Sequence, residues 1–63
     1  MVKLIKAQTP EALETAINDH VSEVNKDRVD RGIYQLQVLN LIIMPAMDRL
    51  NNPVLYCYVI LGS

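Results

Sequence analysis

The chain holds one histidine, one cysteine and three tyrosines, which is little with which to do covalent or acid–base chemistry. His20 has the side chain suited to proton transfer near neutral pH. It stands beside Val21 and Val24, so the expectation is a ring packed against the interior. Cys57 lies in an apolar stretch with no basic neighbour to lower its pKa, and is expected to act as a small hydrophobe. Glu11, Glu14, Asp19 and Glu23 read as the solvated face of a helix. Asp27, Arg28, Asp30 and Arg31 alternate in sign and read as surface pairs worth little. There is no glycine-rich phosphate loop, nucleophile elbow or HExxH pattern, and His20 and Cys57 lack zinc-ligand spacing. Neither an enzyme nor a metal or cofactor site is expected.

The remaining candidates recognise rather than react. Tyr34, Tyr56 and Tyr58 are the only aromatic residues, and all three fall in stretches that read as strands. On a shared face they would line a site for a planar ligand or anchor an interface, because tyrosine joins an apolar body to a polar tip. Arg31 and Arg49 flank the second strand and would serve such a site as anion partners. The competing expectation is that the tyrosines are the large core residues of a chain without Phe or Trp.

Composition narrows the class. Sixty-three residues make one domain, 1–63, whose own core gives marginal stability. One cysteine excludes an internal disulfide, leaving association as the route to stability. Six Lys/Arg against seven Asp/Glu, with a pI near 5.6, argue against a nucleic-acid surface. No apolar run reaches membrane-spanning length, and Met1 to Ala7 is too short and charged for a secretory signal. The expected location is cytoplasmic.

The elements that position these residues follow from periodicity. Val2 to Ala7 alternates as a strand. Thr9, Pro10 and Glu11 supply a cap, a first-turn proline and an acid for the positive helix end. Leu13, Ala16, Ile17, His20, Val21 and Val24 then share one face of a helix of roughly four turns. Asn25 to Arg28 reads as its loose end, and Gly32 precedes the second strand, Ile33 to Met44, which Pro45 closes or bends. Ala46 to Pro53 reads as a polar connection, and Val54 to Leu61 as the third strand. The fold class is α+β, β-α-β-β, an antiparallel-type sheet with one amphipathic helix on one face.

One helix shields one sheet face, yet the third strand is apolar on both faces and the second becomes so after Asn40. The uncovered face is expected to expose some of Leu39, Leu41, Ile43, Leu55, Val59 and Leu61. At ~1.5–3 kcal/mol per buried large apolar side chain, six of them amount to an upper bound of order 10 kcal/mol. That rivals a domain's whole stability, so a homo-oligomer using these residues is expected. The competing expectation folds Leu41 to Met47 back over the face as a short helix or loop.

Thr9-Pro10-Glu11-Ala12-Leu13-Glu14 with Ala16-Ile17-Asn18, Ile33-Tyr34-Gln35 and Tyr56-Cys57-Tyr58-Val59-Ile60 resemble small sporulation-associated and phage-borne proteins of Firmicutes. The resemblance implies the same element order and a sporulation or phage context. The order also resembles dodecin, with Tyr34 roughly at that family's flavin-stacking position, which implies a small-molecule carrier of flavin or nucleotide. The expectation that joins these readings is a non-enzymatic homo-oligomer that binds a host protein or a nucleotide-like molecule. A phage-encoded inhibitor or sponge of a bacterial defence pathway fits it, with a dodecin-like carrier or a structural sporulation protein as alternatives.

Overall fold

Strand β1 (Val2–Ala7), helix α1 (Pro10–Asp30), strand β2 (Gln37–Met47) and strand β3 (Pro53–Gly62) follow one another in a computed structural model that describes residues 1–63. The expected α+β class is the observed one. The strands form one antiparallel sheet in the order β1-β3-β2, so β3 is central and β1 and β2 are edges.

The helix begins where the cap residues place it. Thr9 is extended and its Oγ1 accepts the Ala12 N–H at 3.1 Å, with Pro10 opening the first turn. Its end lies further on than the expected four turns. The helix runs 21 residues to Asp30, nearly six turns, because no glycine or proline interrupts 25–30. Gly32 ends it: at φ 70° it donates to the Val29 carbonyl at 3.0 Å, and Ile33 donates to that of Arg28 at 2.9 Å. This pair of bonds is a Schellman closure, which needs a left-handed residue and therefore favours glycine.

That closure corrects the start of the second strand. Residues 33–36 form no strand, and β2 begins at Gln37. Asn25 holds the segment by a double hydrogen bond: its Oδ1 accepts the Leu36 N–H at 2.7 Å and its Nδ2 donates to the Leu36 carbonyl at 2.9 Å. At its far end β2 continues through Pro45, paired with Leu55, to Met47. An edge strand tolerates the missing N–H that would break a central one. Residues 41–47 thus belong to β2 and do not fold back as a helix or loop. The remaining turn, 48–52, is closed by Asp48, whose Oδ1 accepts the Leu50 and Asn52 N–H groups at 2.8 and 2.9 Å. Asn51 takes φ 62°, a conformation asparagine tolerates well.

The core lies between α1 and the β1–β3 pair, built from Ile5, Leu13, Ile17, Cys57, Val59 and Leu61. The side of β3 carrying Leu55, Cys57, Val59 and Leu61 therefore faces the helix. This corrects the face expected for Leu41, Ile43, Leu55, Val59 and Leu61, of which only Leu41 and Ile43 stay exposed, beside the helix. Val59 and Leu61 are 0% and 2% exposed, and Leu55 is half-buried. The other face, which no helix covers, carries Val54, Tyr56, Tyr58 and Ile60, of which Val54 is 1% exposed and Tyr56 and Ile60 are half-buried. Slim Cys57 and Val59 let a helix approach closely, whereas phenol hydroxyls beneath it would need buried partners.

Candidate functional site

The short β1–α1 connection lays the helix back over β1 and its neighbour β3, and nothing extends over β2. The result is an open apolar trough between α1 and β2, of about 540 Å³. Leu13 and Ile17 form its helix wall, Val38, Leu41 and Ile43 its strand wall, and Glu14 and Asn18 its polar rim. Val38, Leu41 and Ile43 share one side of β2, in register with Leu61, Val59 and Cys57 of the core. The trough is thus the unfinished margin of the core. Its volume falls within the range of ligand pockets, but Glu14 is its one ionisable lining group, so it favours apolar contact over an anion.

β2 itself is the most unusual element. Apart from half-buried Ala46 each of its residues is exposed, and it carries no charged side chain. Leu39, Ile43 and Met47 are 59%, 52% and 60% exposed. On its other side, Ile42 pairs with Tyr58, which pairs with Leu4, making an apolar row across the bare sheet face. A bulge at Leu39 interrupts the ladder, and the Leu39 side chain lies over Gly62, where a Cβ would approach it to 2.5 Å.

The five residues proposed for one ligand or partner site do not converge. Arg31 follows the last helical residue, with its Nε 3.4 Å from Asp27 in an exposed i,i+4 pair. Tyr34 is 81% exposed in the irregular 33–36 segment, and its carbonyl accepts from the Arg28 guanidinium. Both lie at the end of the sheet where β2 begins and β3 ends. Arg49 and Tyr56 lie at the opposite, hairpin end, around a shallow depression shared with Lys6 and Asp48. There the Lys6 Nζ sits 5.9 Å from the Tyr56 ring centroid, within reach of a weak cation–π attraction. Tyr58 stands between the ends on the bare face. Along a molecule 45 Å long, one planar ligand does not reach all five.

Among the groups considered for chemistry, Cys57 is fully buried in the core. His20 is half-buried, and its Nε2 is enclosed without a hydrogen-bond partner. The Asp48 carboxyl is held below its ordinary range by the hydrogen bond from the Asn52 backbone, with that from Leu50 adding to it. No group of three or more His, Cys, Asp or Glu side chains is placed to hold a metal. No helix is long and apolar enough to cross a membrane. The Asn25 clamp was not anticipated. Its signal in the sequence is an amide side chain directly after Val24 on the helix's apolar side.

This small β-α-β-β domain with an apolar trough and a bare edge matches no protein-family model, no curated protein and no solved structure at a significant level.

Proposed function

We propose that the chain is a non-enzymatic homo-oligomeric binding protein. The observation that carries this reading is the surface of β2, apolar on both faces, uncharged and with no residue buried. Two global measures agree with it. The accessible surface is 4729 Å², against about 4,100 Å² for a folded monomer of 7.1 kDa. The radius of gyration is 13.3 Å, against roughly 11 Å for a chain of this length. The excess, on the order of 600 Å², approaches the ~800 Å² that each partner contributes to a standard interface.

The assembled form would bind through the trough beside β2. Apolar walls with an acidic rim suit an apolar segment of a partner protein, as an inhibitor-like role requires. They suit a nucleotide or flavin phosphate poorly, since Glu14 would repel it. Light scattering on the purified chain across micromolar concentrations tests the association. A mass at least twice 7.1 kDa is expected, and a constant 7.1 kDa throughout would overturn the proposal.

A further inference from the structure

We infer that the free edge of β2 pairs antiparallel with the same edge of a second copy, centred near Ile42, joining two three-stranded sheets into one of six strands. The inference rests on the reading of the chain as self-associating and specifies which surface does it. Edge strands that remain exposed are ordinarily blunted by charge, by a covering element or by shortness. β2 is 11 residues long, carries no charge and is covered by nothing. Its sequence is that of an interior strand, because Leu41, Ile42, Ile43 and Met44 present apolar side chains to both faces.

The interruptions on β2 set the register. The bulge at Leu39 and the proline at 45 bracket a regular stretch, residues 40–44, whose midpoint is Ile42. Antiparallel pairing about that midpoint is isologous: each chain presents the same patch, and Leu41 falls opposite the second copy's Ile43. The two-fold axis then stands perpendicular to the sheet, so both helices lie on one face. The two troughs meet above the paired β2 strands as one apolar groove between the helices.

Stacking of the bare faces is the competing geometry, and it accounts for less. It would cover Leu4, Ile42 and Tyr58, but would bring the Lys6 ammonium of each copy towards the interface. It would leave Leu41, Ile43 and the β2 backbone groups as open as before. Edge pairing satisfies those backbone groups and gives the side chains on both sides of β2 cross-strand neighbours at once.

Cysteine trapping decides between them. Residues opposite each other across an antiparallel pair have a Cα–Cα distance of about 4.5–5.5 Å, inside the range a disulfide spans. Cys57 is the only native cysteine and is 0% exposed, so it does not compete. Mild oxidation of an equimolar mixture of Leu41→Cys and Ile43→Cys chains, both substituted on the helix side of β2, is expected to give a covalent dimer on a non-reducing gel, while Leu4→Cys, on the bare face of β1, stays monomeric. Leu41→Lys, which stacked faces would leave in solvent, is expected to lower the native mass to 7.1 kDa with an unchanged helical circular-dichroism signal. A crosslink through Leu4→Cys and none between Leu41→Cys and Ile43→Cys would overturn edge pairing in favour of stacked faces. No crosslink from either, with the unmodified chain at twice 7.1 kDa, would overturn this interface and leave the oligomer reading intact. An unmodified chain at 7.1 kDa would overturn both.

Discussion

β2 and β3 are two strands of one hairpin, almost equal in length and both rich in aliphatic residues, yet their surroundings are opposite. β3 buries Val54, Cys57, Val59 and Leu61. β2, paired to it residue by residue, buries none. Composition does not separate them, and position in the sheet does. β3 is flanked by a strand on each side and roofed by α1, whereas β2 has one strand beside it and no roof. An apolar strand at an open edge is a local sequence whose expected environment is missing from the single chain, and the proposed pairing with a second copy would supply it.

Matched substitutions test this contrast. Val59 and Leu41 face each other in register on the helix side of the sheet. Val59→Lys places a charge where nothing is exposed, at a cost comparable to the whole ~5–15 kcal/mol stability of a domain. The folded circular-dichroism spectrum and cooperative melt should disappear. If Val59→Lys still melts cooperatively near the parent temperature, the placement of the core is wrong. Asn25→Ala removes the clamp on Leu36 and should cost about 1–3 kcal/mol, because Leu36 is left with backbone groups whose partners are gone. Denaturant unfolding measures it, and an unchanged midpoint would show that the entry to β2 is held by something else.

Leu41→Lys, by contrast, should cost the dilute chain about 1 kcal/mol or less, since the lysine stem covers much of what the leucine covered. Its effect should appear as loss of the concentration dependence of the melting temperature. Asp48 gives the smallest effect. Its folded-state pKa is depressed by backbone hydrogen bonds, so its contribution is present above the unfolded carboxylate pKa of about 3.9 and is lost as pH falls through the folded value. Asp48→Asn should flatten that acid limb slightly, and an acid limb identical to the parent's would assign the loss to other carboxylates.

The element order and the helix start were legible because Thr9 and Pro10 have one physical reading in that setting. The face of β3 that meets the helix was not legible. Leu55-Cys57-Val59-Leu61 and Val54-Tyr56-Tyr58-Ile60 are both apolar at period two, and periodicity cannot rank them. Side-chain shape does, favouring the slim residues under α1. Tyr34 read as a strand residue because Ile33 to Met44 alternates. The Schellman closure at Gly32 and the Asn25 clamp, both tertiary choices, delay the strand to Gln37. The five candidate binding residues do not converge, since the length of the hairpin sets Arg31 and Tyr34 at one end and Arg49 and Tyr56 at the other. The apolar excess on β2 was legible at Leu39, Leu41 and Ile43, all exposed.

Hydrogen exchange of the β2 amides, followed at two protein concentrations, tests the central claim most directly. Amides of residues 40–44 that point away from β3 should exchange slowly in the concentrated sample and fast on dilution, while those of β3 stay protected in both. Fast exchange of the outward β2 amides at every concentration would contradict the account, because it would mean that this edge has no partner.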